Sequence, residues 1–493
     1  MLRALICMAG VWLMPMLVWA DAANAPKQVA VDALFADYQR PGSPGLAVGI
    51  YRDGRTVYAH GYGLADLENP VAISADTVFY AASVSKQFVA FAILLLTRDG
   101  KIDLDADIRT YLPYVPDFGD RITVRHLIHH TSGLRDQWSL FELGGIQDGS
   151  RTHQRQVVNM VKRQRALNAR PGTEYNYCNT GYTLLAEIVH AVSGRTLREF
   201  TTERIFTPLQ MRSTFFYDDA SELVPRRARS YEKDAAGRWR AKILAGDTVG
   251  GTGLYITAND FARWAANFSR PVVGDAALIE QFIGMGSLDD GTPLDYGFAL
   301  ERKSVAGHAA VLHTGVHGAF RGVFAYFPAE QLSVAILANT AIETMRALER
   351  VVTIMLDAKS VESAAAPAKT QPQTRSNASE PEPVPAPATV NLSELVGDYR
   401  SSELDATYTL SVENGELLVD SIWFERRFVL RPTMPDGFAS DWPLQTVRIE
   451  RDAAGKPRAL LISTARAKNV RFARSCDDAG GPEVSSRSCS TAR

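Results

Sequence analysis

Charge of one sign is missing from this chain of 493 residues: 53 Lys and Arg stand against 55 Asp and Glu, a formal net charge of −2. With no basic excess to neutralise phosphates, a dedicated nucleic-acid binder is excluded. Disorder of the whole chain is excluded as well, because 46% of the residues are hydrophobic and only 22% are charged. Internal repeats are lacking, and beyond the N-terminus no apolar run has the length of a membrane span. Cysteine is scarce, with Cys7, Cys178, Cys476 and Cys489. The last two could close a loop near the C-terminus in an oxidising compartment, or stand as free thiols in a frayed tail. Cys178 is then left over, inside a motif considered below.

What is there begins with an export signal. Arg3 supplies a short positive region, an apolar run follows from Ala4 to Trp19, and small residues at Ala20 and Ala22 fit cleavage. The run is short for a span, and no cysteine follows for lipid attachment. The mature protein is therefore expected to be exported without a stable membrane anchor, to a bacterial periplasm or the medium.

The length gives a prior of about three domains. A stretch of Ala, Pro, Ser, Thr, Gln and Glu over 359–390 cannot bury enough apolar surface to offset ordering, so it reads as an extended linker. The expected plan is a signal at 1–22, a body at 26–358, the linker at 359–390, a second unit at 391–474 and a tail at 475–493. In the body, helical patterns are predicted near 29–38, 83–98, 180–192, 258–268 and 342–356. Alternating apolar residues predict hairpins at 46–62 and 322–337 and a strand at 310–313. Strands at both ends with helices between them imply one sheet built from distant segments and carrying a helical insertion. Short alternating runs near 407–412, 417–419, 428–430, 447–449 and 460–462 read as a small β-barrel or sandwich.

Three short motifs carry potential chemistry. In Ser83-Val84-Ser85-Lys86, residues three apart share a helix face, so the Ser83 hydroxyl and the Lys86 amine are neighbours. A lysine can take a serine proton if burial and nearby positive charge lower its pKa. The helix N-terminus also aims backbone N–H groups at a developing oxyanion. Tyr177-Cys178-Asn179 follows Pro171-Gly172 and precedes a helix, so it is presented on a loop. His313-Thr314-Gly315 ends a predicted strand, where glycine permits close approach. Each motif alone has a bland alternative: an exposed Ser/Lys pair, a packed tyrosine with a capping asparagine, a strand-end turn. His126, His129 and His130 raise a zinc alternative, but the glutamate of H-E-x-x-H is absent.

Together and in this order, the three motifs resemble those of the serine β-lactamase-related family, which includes class C β-lactamases, DD-carboxypeptidases, D-aminopeptidases and esterases. His129-His130-Thr131-Ser132-Gly133-Leu134 and Gly250-Gly251-Thr252-Gly253-Leu254 are similar to stretches common in that family. The resemblance covers about residues 29–357, and the C-terminal unit is more loosely similar to the lipocalin-like barrels appended to some D-aminopeptidase-type members. It implies an α+β fold: an antiparallel sheet flanked by helices, a helical lobe, then a small all-β barrel. It further implies that Ser83 is acylated, that Lys86 accepts its proton and that Tyr177 serves leaving-group departure and deacylation. Asn179, His313, Thr314 and Gly315 would bind substrate, and the N–H groups of Ser83 and Val316 would form the oxyanion hole. No metal or organic cofactor is required, and the family account makes His126, His129 and His130 part of a scaffold turn.

Two departures stand out. His313 occupies the position where class C β-lactamases carry lysine, and a histidine is mostly neutral at pH 7, which favours the peptidase and esterase branches. Cys178 replaces a usual small residue. The expected activity is acyl-enzyme hydrolysis of small esters or D-amino-acid peptides, including peptidoglycan fragments. The alternatives are a penicillin-binding or peptidoglycan-sensing protein with little turnover, and a weak β-lactamase.

Overall fold

A computed structural model describes residues 25–146, 149–356 and 391–475. The expected signal, the whole of the linker, and Cys476 and Cys489 lie outside these residues. Cys178 is buried as a free thiol.

An eight-stranded antiparallel sheet organises the body, and its strand order explains why distant segments meet. The C-terminal strands Met285–Ser287, Pro293–Gly297, Glu301–Val305, His308–His317, Phe320–Phe327 and Leu332–Ala338 follow one another across the sheet. The N-terminal hairpin Leu46–Arg52 and Arg55–Tyr62 then adds to the last of them, with Leu46 opposite Ala338 and Arg52 opposite Leu332.

Alternation sorts the side chains to two faces, as the pleat requires. Leu46, Val48 and Ile50 join Val323, Ile336 and Ala338 against the helices Ala25–Leu34 and Thr344–Leu356. Ala47 and Tyr51 face the other way with Phe324, Ala335 and Leu337, into a larger core shared with Phe88, Phe91, Phe261 and Trp264. Those aromatics belong to the helices Lys86–Arg98 and Ala258–Ser269. Both faces being covered, strand Leu332–Ala338 is buried along its whole length and reads as a continuous apolar run.

The smaller unit is a closed barrel of eight strands from Gly397–Ser401 to Val470–Arg474, sealed where Tyr399 pairs with Arg474. Closure removes the exposed edges that an open sheet of this size would carry. Its core takes in part of the body and is distinct from the two cores around the sheet. Tyr408, Leu410, Leu417 and Phe472 share one apolar cluster with Leu140, Phe141, Val157 and Met160.

One buried ion pair fixes how the two parts meet. Arg135 donates from Nη1 to both carboxylate oxygens of Glu403, at 2.8 and 2.6 Å, and the two side chains are only 2% and 5% exposed. Its remaining donors reach the carbonyls of Lys468 and Asn469 at 2.9–3.1 Å. Every guanidinium hydrogen thus has an acceptor, which a charge so deeply buried requires. The loop between barrel strands Pro457–Ser463 and Val470–Arg474 is thereby held against the body.

Candidate active site

Ser83 sits in a short 3-10 turn, Ala82–Ser85, that runs directly into the helix Lys86–Arg98. Ala82 just before it has φ +49°, a conformation that costs energy for a residue with a Cβ and that clusters at functional sites. Two serines flank Val84, and the structure separates their roles. Ser85 is fully buried, donates its hydroxyl to the carbonyl of Ala82 and accepts the N–H of Leu254 at 3.1 Å. Ser83 is half-buried, and its Oγ lies 3.2 Å from Lys86 Nζ.

Lys86 is fully buried, and its amine makes two further contacts, at 2.8 Å to Asn179 Oδ1 and 2.6 Å to the carbonyl of Gly251. Burial holds its pKa well below the ordinary lysine value; Asp136 opposes that shift, and Arg466 adds to it. A lysine held this way can be neutral and accept a proton.

Tyr177 lies across Lys86, with Nζ 4.8 Å from the ring centroid. Its hydroxyl hydrogen-bonds Ser83, and burial raises its pKa above the usual tyrosine value, so it is a proton donor rather than a phenolate. Asn179 opens the helix Asn179–Ser193. Both its N–H and its Nδ2 donate to Asp136 Oδ2, at 2.6 and 2.8 Å, which turns its Oδ1 toward Lys86. Asp136 belongs to none of the three sequence motifs. The signal available was its position just before the helix Gln137–Leu143, which it caps by accepting the N–H of Trp138 at 3.0 Å.

The third motif lies within strand His308–His317 rather than at its end. The neighbouring strand Glu301–Val305 pairs with it only as far as Leu312, so among the described residues no strand covers that edge over 313–317. Gly315 is where this strand meets the turn that carries Ser83: a Cβ there would fall 2.3 Å from the carbonyl of Ala81 and 3.2 Å from the nitrogen of Ser83. Thr314 is half-buried, and Val316 is exposed on the same stretch.

His313 is placed differently from its neighbours. Its ring is buried, and both nitrogens are engaged internally. A hydrogen-bond relay fixes the tautomers. The N–H of Cys178 donates to His130 Nδ1 at 3.0 Å, so His130 Nε2 carries the proton and donates to Tyr296 Oη at 3.1 Å. Tyr296 in turn donates to His313 Nε2 at 3.2 Å, and His313 Nδ1 donates to the carbonyl of Thr314 at 2.6 Å. Both imidazoles are neutral chiefly because they are buried, and Lys86 opposes their charge further whenever it is protonated; His313 is pushed down to about 3. In this arrangement the ring has no hydrogen left to offer a substrate. The three histidines weighed for zinc face separate partners: His126 meets Asp289 at 3.1 Å, His130 meets Tyr296, and His129 packs edge-on against Phe298.

These buried neutral histidines make a testable statement about acid stability. His129 is held at about 4 and His313 at about 3, chiefly by burial, against 6.5 when exposed. The unfolded chain binds these protons first as pH falls, so the stabilisation is complete above 6.5 and is lost toward the folded values. Each such histidine contributes a slope of about 1.4 kcal/mol per pH unit in that window. Urea midpoints should therefore fall steadily from neutral pH toward pH 4, and a flat profile would contradict the neutral relay.

The family described as Beta-lactamase matches residues 31–359. A D-aminopeptidase of Gluconobacter oxydans (strain 621H) is 29% identical over 320 residues, 65% of this chain and 60% of that protein. A D-aminopeptidase of Brucella ovis is 31% identical over 298 residues, 59% of this chain and 54% of that protein. The chain thus spans little more than half the length of these curated relatives. Among solved structures, the octameric penicillin-binding protein homologue from Pyrococcus abyssi aligns with a TM-score of 0.59 at 20% identity, covering 91% of this chain and 99% of that one. The D-amino acid amidase from Ochrobactrum anthropi SV3 aligns with a TM-score of 0.56 at 22% identity, covering 68% and 99%. At such identities the structures share a fold.

Proposed function

The chain belongs to the β-lactamase family, and on that premise we propose that it hydrolyses small esters or D-amino-acid amides and peptides through an acyl-enzyme on Ser83. The observation that carries the reading is the Ser83–Lys86 contact at 3.2 Å, with the lysine buried and its pKa depressed. The neutral amine takes the hydroxyl proton as Oγ attacks the substrate carbonyl carbon. The oxyanion is received by the N–H groups of Ser83 and Val316, whose strand lies tight against the nucleophile turn at Gly315. Tyr177 passes a proton to the leaving atom, and its position over both Ser83 and Lys86 suits it to relay the proton that Lys86 has taken. Water then attacks the ester on Ser83, the same groups acting in reverse. Asn179 and Asp136 hold Lys86 in place.

Export to a periplasm belongs to the same proposal, resting on Arg3, the apolar run after it and Ala20 and Ala22. Peptidoglycan-derived peptides are then the natural source of D-amino-acid substrates.

The test is chromophore release from a short-chain nitrophenyl ester and from a D-alanyl nitroanilide, each run beside Ser83→Ala. Ser83-dependent cleavage of the anilide is the expected result and makes this an amide-cleaving enzyme. Cleavage of the ester alone would restrict the proposal to ester substrates, and turnover by Ser83→Ala would overturn it.

A further inference from the structure

The catalytic proposal leaves one charged group at the site unused. Arg466 is on the barrel loop that Arg135 holds down, and its guanidinium carbon lies 4.9 Å from the centroid of the Tyr177 ring. Its backbone is fixed: its carbonyl accepts the N–H of Asp136 at 3.0 Å and Asn168 Nδ2 at 2.9 Å. Two residues on, the N–H of Lys468 donates to Asn168 Oδ1 at 2.7 Å. The side chain by contrast is exposed, and among the described residues no carboxylate pairs with it. Its neighbour Lys468 is already committed, to Glu174 at 2.8 Å.

We propose that Arg466 is a specificity residue, the anchor for a carboxylate carried by the leaving group of the substrate. The inference rests on the acyl-enzyme reading of Ser83. Three observations lead to it. The strand of the third motif has no cation to offer, since His313 is buried, neutral and engaged at both nitrogens. Lys86 is a cation only while protonated, and it is enclosed by Asn179 and Gly251. Among the described residues that contact the Ser83, Lys86 and Tyr177 group, the accessible permanent positive charge is supplied by the barrel, through Arg466. Its place on the ring of Tyr177, the group proposed to protonate the leaving atom, puts it on the leaving-group side. The planar guanidinium can engage both oxygens of a carboxylate at once, which a point charge cannot.

The experiment uses the full chain and two substrate pairs. In one, the leaving group does or does not bear a carboxylate: 3-carboxyphenyl acetate against phenyl acetate. In the other the acyl group does: the 4-nitrophenyl monoester of succinate against 4-nitrophenyl butyrate. For the first pair, R466A should lower the ratio of kcat/KM for the charged over the neutral substrate by about tenfold or more, as loss of one charge-assisted hydrogen bond predicts. Most of that change should lie in KM, and R466K should restore part of it. The ratio for the second pair should stay where it is. A ratio that moves only for the second pair would put the carboxylate on the acyl side and overturn the assignment. Equal loss on all four substrates would reduce Arg466 to packing on Tyr177, and unchanged ratios would overturn the proposal outright. Ser83→Ala run in parallel keeps the parent reading separate: retained turnover there defeats the acyl-enzyme itself, whatever R466A does.

Discussion

Ser83→Ala is expected to lower turnover of any ester or amide substrate by on the order of 10⁴-fold or more, with no loss of folding stability. The size follows from removing the atom that forms the covalent bond. The intact fold follows from what remains around Lys86, whose amine keeps Asn179 Oδ1 at 2.8 Å and the carbonyl of Gly251 at 2.6 Å. No buried charge is left without partners, so thermal midpoints of variant and parent should coincide. Ser85 cannot take over, because it is fully buried and its hydroxyl is committed to Ala82 and Leu254. Lys86→Ala should be nearly as damaging, and Ser83→Ala with Lys86→Ala no worse than the more damaging single change, since nucleophile and base act as a unit. Intact-mass measurement with a slow acyl donor checks the same point independently: an adduct should form on the parent chain and be absent from Ser83→Ala.

Much of this site can be read from local pattern. Ser83 and Lys86 are three residues apart in one turn and helix, so spacing alone makes them neighbours. The strands at 46–62, 310–313 and 322–337 announce themselves by apolar runs with turns between them, and the structure pairs them in one sheet. Three barrel strands, Gly397–Ser401, Gly437–Ala439 and Val470–Arg474, do not stand out in the sequence. They are short, and two carry arginine on the alternating positions, so their apolar signal is weak.

What escapes the sequence is of another kind. Arg135 and Glu403 are 268 positions apart, and nothing near either marks it as half of a buried pair. Tyr296 joins two histidines that local pattern assigns to different motifs, and the same relay takes up Nε2 of His313, whose neutrality comes from burial. Arg466 lies in an unremarkable turn and becomes part of the site only because the barrel is docked. Local spacing thus reveals Ser83 and Lys86 as neighbours. The groups that surround them, Asp136, Tyr296 and Arg466, come from long-range packing, which periodicity does not encode.

Breaking the pair that docks the barrel should have the second large effect. Glu403→Ala is expected to destabilise the chain by about 3–5 kcal/mol, the usual result of stranding one member of a buried ion pair. The guanidinium of Arg135, 2% exposed, would keep its bonds to the Lys468 and Asn469 carbonyls but lose both oxygens that balance its charge. The damage should not stop at stability. Arg135 is followed directly by Asp136, which holds Asn179 and through it Lys86. Asp136 also donates its N–H to the Arg466 carbonyl, so a shifted Arg135 loosens the base and the substrate-facing loop together. Both the urea midpoint and kcat should therefore fall in Glu403→Ala. Replacing the two charges together, Arg135→Met with Glu403→Leu, removes the stranded charge and should recover much of the stability. Activity should recover less, because the loop carbonyls that Arg135 held would then lack their donors. A double variant that regains stability but not turnover would show that the pair matters to catalysis through the loop it holds. Full recovery of both would leave it a packing contact and nothing more.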